Sequence, residues 1–316
     1  MKILFMGTPE FAVESLKKLK TKHEIVGIIT KVDKPNSSRG KKIIYNPVKQ
    51  YGLDNDIAVY QPENIRTEET YNMIKEMNPD LIVVVAYGKI IPNNIIEYPK
   101  FGIINVHSSI LPKFRGAAPI NAAIVEGEVE TGVTIMDIVQ ELDAGAIIKV
   151  SKTEIQEEDN FLTLHDRLKF LGADCLLEAV EEIFTNKAIK REQEHEKATF
   201  VKPFKKEDLK IKWEKTSFEI NNFVRGMTPF PSVFTKLGDK IIKVLEVEKI
   251  ENEKIEDENF QGKIGEVVGK VKNKGFVIKT GDGAIILKKL KPENKGAITG
   301  ADSINGKLLE IGNVFS

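Results

Sequence analysis

The stretch Leu81-Ile-Val-Val-Val-Ala86 holds six apolar residues in a row, so a strand built on it has no face that water could wet. Ile3-Leu-Phe-Met-Gly7, the segment from Glu24 to Thr30, and Gly102-Ile-Ile-Asn-Val-His107 are nearly as apolar. Between them lie helical signals. Thr8, Pro9 and Glu10 read as a cap, a first-turn proline and a first-turn acid opening a helix to about Leu19. A helix is expected from Ala117 to Glu126, and a further strand over Gly132-Val-Thr-Ile-Met136. Strands without a polar face, separated by helices, predict an α/β fold: a Rossmann-like, mostly parallel sheet with helices on both faces. Such sheets bind ligands beyond the carboxyl ends of their strands.

At 316 residues the chain exceeds one such domain, since a domain takes roughly 150 residues. A helix is predicted from about Asn160 to Asn186, and a lysine-rich linker containing Pro203 from Thr199 to Lys212. A helix over Ser217 to Met227 and the run Pro229-Phe-Pro231 follow. Short alternating strands are then expected at Lys240 to Lys249, Gly262 to Lys270, Gly275 to Thr280 and Gly283 to Leu290, with turn residues between them. That spacing predicts a small antiparallel β-barrel, OB-like. The expected division is a catalytic domain over 1–203 and a barrel domain over 204–316. The mostly acidic Glu248 to Glu258 reads as a solvated connection.

Charge and composition narrow the function classes. With 41% hydrophobic and 30% charged residues the chain can bury cores and is not of disordered composition. Lys plus Arg and Asp plus Glu both number 47, which argues against a generally sticky nucleic-acid binder while leaving local patches open. A small lysine excess after Lys205 fits RNA docking on the barrel. The one cysteine, Cys175, lies in a helical pattern and is expected in a core; it excludes an intramolecular disulfide. No Cys/His cluster has zinc spacing, so no metal is expected. No apolar run approaches the roughly 20 residues of a membrane span, and Lys2-Ile-Leu-Phe enters a strand without a signal-peptide pattern, so a cytoplasmic location is expected.

The chemistry concentrates in Asn105-Val-His-Ser-Ser-Ile-Leu-Pro-Lys-Phe-Arg-Gly-Ala-Ala-Pro119. Side chains two apart on a strand face the same way, so Asn105 and His107 carry an amide and an imidazole together to the ligand end of the sheet. Each alone also reads as an ordinary strand-end residue. The loop after them is long and turn-rich, more elaborate than a crossover needs; Ile110 and Leu111 offer apolar contacts to a flat ring. Asp143, in Glu141-Leu-Asp-Ala-Gly145, reads by itself as a turn aspartate. Together the three have a chemical logic. Acyl transfer to an amine passes through a tetrahedral intermediate with an oxyanion to stabilise and a proton to lose. An amide and an imidazole serve the first, a carboxylate the second. No Gly-x-Ser-x-Gly motif points to a covalent acyl-enzyme. Gly7-Thr-Pro lacks the Gly-x-Gly-x-x-Gly fingerprint of dinucleotide sites. His165, in Leu162-Thr-Leu-His-Asp-Arg-Leu168, is expected at a core edge rather than in catalysis, and Trp213 is expected as an anchor between domains.

The pattern Asn-x-His, Ser-Ile-Leu-Pro-x-x-Arg-Gly-x-x-Pro and Leu-Asp-x-Gly resembles the formyltetrahydrofolate-dependent formyltransferases. Phe5-Met-Gly-Thr-Pro-Glu-Phe-Ala12, Asp33-Lys-Pro with Arg39-Gly-Lys-Lys42, Thr131-Gly-Val-Thr-Ile-Met136 and Val224-Arg-Gly-Met-Thr-Pro-Phe-Pro231 resemble the branch whose acceptor is a charged tRNA, and the likeness spans essentially the whole chain. The resemblance implies that 10-formyltetrahydrofolate is co-substrate and that initiator methionyl-tRNA is the partner; a monomer is expected. It implies that Asn105, His107 and Asp143 are the catalytic trio. It places the folate at Ser109, Ile110, Leu111 and Pro112, with the backbone of Ala86, Tyr87 and Gly88 lining the pterin pocket. It assigns Arg39, Lys41 and Lys42 to tRNA; three cations around one glycine suit phosphates better than packing. Two features depart from the family: Ile110 stands where leucine is usual, and Ile120-Asn-Ala-Ala-Ile124 lacks a common tryptophan. With a small acceptor, such as an amino-sugar nucleotide or a purine precursor, neither the basic segment nor the barrel would be needed. A chain of this length is too short for a fused aldehyde dehydrogenase. A tRNA-binding protein with an inactive sheet domain would not need the trio.

Overall fold

The computed structural model describes residues 1–33, 44–250 and 260–316. Its elements are β1 (Lys2–Gly7), α1 (Phe11–Lys20), β2 (Glu24–Ile29), α2 (Pro47–Asp54), β3 (Val59–Tyr60), α3 (Glu68–Met77), β4 (Leu81–Val85), α4 (Asn93–Ile96), β5 (Ile103–His107), β6 (Arg115–Gly116), α5 (Pro119–Val125), β7 (Glu130–Asp137), β8 (Ile147–Glu154), α6 (Phe161–Phe184), β9 (Phe200–Val201), α7 (Ser217–Met227), β10 (Val233–Leu237), β11 (Lys240–Lys249), β12 (Val267–Val271), β13 (Gly275–Lys279), β14 (Ala284–Pro292), β15 (Ile298–Thr299) and α8 (Gly300–Asn305). They form two compact units. One comprises Met1–Pro119, Glu130–Glu154 and His165–Val201; the other comprises Ile120–Val129, Ile155–Leu164 and Lys202–Ser316.

The first unit is built on a seven-stranded sheet of order β3-β2-β1-β4-β5-β7-β8. From β3 to β5 every pair is parallel, as the apolar strands predict, and all five residues of β4 are buried. Leu4, Met6, Ile29, Ile74, Ile82, Val84 and Ile103 pack as one core on this sheet. The sheet is mixed, however: β7 runs antiparallel to β5 and β8 antiparallel to β7. Apolarity signals a strand covered on both faces, as in a parallel sheet, but the direction of an individual pair is set by its connection. The register sets His107 opposite Thr134 and Asn105 opposite Met136. Cys175 is buried, as expected, and burial pushes its thiol pKa up.

Local caps start α2 and α3, whereas α1 departs from its expected cap. Asn46 and Thr67 cap α2 and α3 by accepting from the amides of Lys49 and Thr70. Thr8 does not cap α1, which begins after Glu10; its hydroxyl instead accepts from the Lys31 amide at 3.4 Å, at the carboxyl ends of β1 and β2.

In the second unit six antiparallel strands, in the order β10-β11-β14-β13-β12 with β15 beside β14, make a barrel-like sheet. Its core holds Ile220, Val224 and Met227 of α7 with Val244, Val267, Ile278 and Leu287 of the strands. Trp213 belongs to this core, stacked on Phe315 at 5.6 Å and donating its indole N–H to Thr235 Oγ1 at 3.0 Å, rather than to a junction. β12 begins at Val267 and not near Gly262 because Gly265, at φ +80°, turns the chain where a Cβ would stand 2.8 Å from the Phe315 carbonyl oxygen. Thr216 and Glu219 form a reciprocal cap on α7, and the Lys215 ammonium with this cap holds the Glu219 carboxyl at about 2. Residues 120–129 and 155–164 belong to this unit through side chains. Asn121 donates to the Gly226 carbonyl at 2.7 Å, and Arg225 to those of Gln156 and Asp159 at 2.9 and 3.0 Å. Among the described residues no helix is long and apolar enough to cross a membrane.

Candidate active site

The carboxyl end of β5 presents Asn105, half-buried, and His107, buried. His107 Nε2 lies 3.0 Å from the carbonyl oxygen of Phe114. A carbonyl only accepts, so Nε2 carries the proton, and in the neutral ring Nδ1 is bare. Nδ1 faces the Asp143 carboxylate at 3.6 Å, an ion-pair distance too long for a direct hydrogen bond. A second proton on the ring therefore sits on Nδ1, between imidazole and carboxylate. Burial holds the His107 pKa below its usual 6.5, while the Asp143 charge and the Phe114 carbonyl pull the other way. Asp143 is itself fixed: its Oδ2 accepts from the Gly116 amide at 2.7 Å, and its backbone takes a left-handed φ of 50°.

The loop from Ser108 to Ala118 is tied from within. Thr134 of β7 donates to the Ser109 carbonyl at 2.7 Å and accepts from the Leu111 amide at 3.2 Å. Ser109 turns its hydroxyl to the Lys113 carbonyl at 2.7 Å. Ser109 and Leu111 are buried, whereas Ile110 and Pro112 are half-buried, so of the apolar pair Ile110 is the more open to a ligand. Phe114 and Arg115 are bound in turn to Thr199, and Arg115–Gly116 pairs with Phe200–Val201. Gly116 sits at φ +113°, where a Cβ would be 2.3 Å from the Val201 oxygen.

Ala86, Tyr87 and Gly88 leave β4, the strand beside β5. Ala86 and Gly88 are exposed with positive φ, while the Tyr87 ring is buried in the sheet's core. Burial raises the Tyr87 phenol to about 12, so it stays neutral, and the parts of this segment open to a ligand are Ala86 and Gly88. Arg39, Lys41 and Lys42 lie outside the described residues. His165 packs against Phe11 and shares a hydrogen bond with Asp166, a core-edge role as expected.

Thr134 and Gln193 make contacts that the sequence does not announce: Thr134 ties the loop after β5 to β7, and Gln193 bridges Arg115 and the carbonyls of Asp143 and Gly145. Neither residue type is by itself a catalytic signal.

The arrangement sets an amide, a buried imidazole and a carboxylate around one strand end, which suits transfer of an acyl group to an amine. Comparison with known proteins points the same way. The family described as Formyl transferase matches residues 1–180, and Formyl transferase, C-terminal domain, matches residues 203–308. A methionyl-tRNA formyltransferase of Fusobacterium nucleatum is 53% identical over 313 residues, covering 99% of each chain. Among solved structures, WlaRD, a sugar 3N-formyl transferase, superposes with a TM-score of 0.65 at 23% identity over 94% of this chain and 99% of its own. HypX from Aquifex aeolicus gives 0.64 at 17% identity over 98% of this chain; the chain spans about half of HypX, 49% of its length. At these identities the two solved structures show the fold.

Proposed function

The chain belongs to the formyl transferase family, and from that premise we propose that it transfers the formyl group of 10-formyltetrahydrofolate to the free amino group of initiator methionyl-tRNA, for translation initiation. The observation that carries the chemistry is the meeting of His107 and Asp143, 36 positions apart in sequence, at 3.6 Å beside Asn105. The acceptor is the one named for the Fusobacterium relative, which matches this chain from end to end.

The amine attacks the formyl carbon directly, without an acyl-enzyme. Asn105 offers its amide N–H to the developing oxyanion. The neutral imidazole of His107 has its free lone pair on Nδ1, beside the Asp143 carboxylate, so the pair can take the proton that the amine loses and return it to the departing folate nitrogen. In this reading the folate lies along Ser109, Ile110, Leu111 and Pro112 and against the backbone of Ala86, Tyr87 and Gly88. Arg39, Lys41 and Lys42 meet the acceptor stem, residues 1–203 hold the chemistry, and residues 204–316 hold the tRNA. The enzyme works as a monomer in the cytoplasm and needs no metal.

An acceptor comparison tests the reading. With 10-formyltetrahydrofolate as donor, methionyl-tRNA is expected to be formylated and a nucleotide-linked amino sugar left untouched. Preference for the amino sugar would keep the chemistry and overturn the tRNA assignment.

A further inference from the structure

Gln193 is buried at 4% exposure, on a segment after α6 that no part of the mechanism uses. Its carboxamide is fully engaged. The oxygen accepts from Arg115 Nε at 3.1 Å and from Arg115 Nη2 at 2.7 Å. The nitrogen donates to the carbonyl oxygens of Asp143 at 2.9 Å and Gly145 at 2.8 Å. A primary amide is suited to this place because one end must accept a guanidinium fork while the other donates to two carbonyls. A carboxylate could serve only the first duty, and an ammonium only the second.

The two partners matter because they flank the site. Arg115 is 1% exposed, and the next residue, Gly116, gives Asp143 Oδ2 its backbone N–H. Asp143 takes a left-handed backbone conformation, one that aspartate adopts more readily than most residues, at the head of the turn whose carbonyls Gln193 holds. The Gln193 segment is itself anchored, with Arg191 and Ile147 exchanging backbone hydrogen bonds at 2.7 and 2.9 Å. One rigid strut thus joins β6 to the turn that carries the carboxylate.

We propose that Gln193 is a positioning residue for formyl transfer: by clamping the Asp143–Gly145 turn to Arg115, it sets the carboxylate at its distance from His107. The proposal rests on the reading of Asp143 as a catalytic group. A shift of about 1 Å in a reacting group can cost on the order of 10²-fold in rate, so a partial loosening of the turn registers in kcat before it registers in binding.

The test uses Gln193→Glu, which keeps an acceptor for Arg115 but removes both donors to the turn. Its kcat is expected to fall about tenfold or more, with KM for folate and for tRNA within about twofold of wild type. The decisive measurement is a cycle with Asp143→Asn. A residue that acts through Asp143 costs nothing further once Asp143 is replaced, so the double variant should match Asp143→Asn alone. Rates are compared at a temperature where circular dichroism shows each variant folded. Should the Glu variant not fold, Gln193→Met, which has similar volume and no donor, takes its place with the same expectation. An unchanged kcat, or losses that multiply in the double variant, would overturn the proposal while Asp143 keeps its role. An active Asp143→Asn would instead overturn the reading beneath it.

Discussion

Asp143→Asn is expected to lower kcat by about 10²-fold or more, within the span that a positioned proton-transfer group contributes. The substitution is close to isosteric. The Asn oxygen can still accept the 2.7 Å hydrogen bond from the Gly116 amide, so the turn keeps its anchor and only the charge is lost. That charge acts on a buried ring. Burial is the largest influence on His107 and lowers its pKa, and the carboxylate works against it. The sign follows directly: without the anion the imidazolium loses its stabilising neighbour, and the ring titrates still lower. The imidazole then cannot hold the proton that the amine must shed. Rates of formyl transfer and NMR titration of the His107 ring check the two halves separately. Near wild-type turnover would remove Asp143 from proton handling, and a His107 pKa that rises would contradict the electrostatic account.

Gly145→Ala is the second large effect, and it comes from space rather than charge. A Cβ at this position would stand 1.9 Å from the Asp137 carbonyl oxygen and 2.7 Å from its carbon. Both are backbone atoms of β7, whose Asp137 amide is itself bonded to the Ala146 carbonyl at 3.0 Å, so neither side can yield cheaply. The turn must move away from the strand, taking along the Gly145 carbonyl that Gln193 holds and Asp143 two residues before it. The expected cost is about 3 kcal/mol of stability, the upper part of the usual range for single substitutions, together with a loss of turnover in whatever protein remains folded. Gly296→Ala is the control, because nothing lies within 4 Å of a Cβ there. Equal melting temperatures for the two variants would show that the close approach at Gly145 is not a constraint.

The parts of this molecule legible in the sequence are those governed by local periodicity or local capping. The helix Ser217–Met227 and the strand Lys240–Lys249 have their expected bounds, the helix because Thr216 and Glu219 mark its start within four residues. Asn105 and His107 could be placed at a strand end because the apolar run before them leaves little choice of element. Long-range properties were hidden. The antiparallel direction of β7 is set by the crossover after β5, and the strand Ile147–Glu154 escapes notice because its burial alternates weakly. Asp143 looks like any turn aspartate until the fold brings it to His107. Gln193 has partners 48 to 78 positions away, and no motif marks it. Trp213 belongs to the core that follows the linker and not to a junction for a related reason: a large aromatic near a linker can pack onto what comes after it, as its stack on Phe315 shows. Arg39, Lys41 and Lys42 rest on their sequence alone.

The most direct test of the central claim is a formyl-transfer assay with 10-formyltetrahydrofolate as donor and two acceptors, initiator methionyl-tRNA and free methionine. The account predicts rapid appearance of formylmethionyl-tRNA and almost no formylmethionine, because the amine is presented by the RNA and not by the amino acid alone. Equal transfer to both acceptors, or transfer to neither while folate still binds, would contradict it.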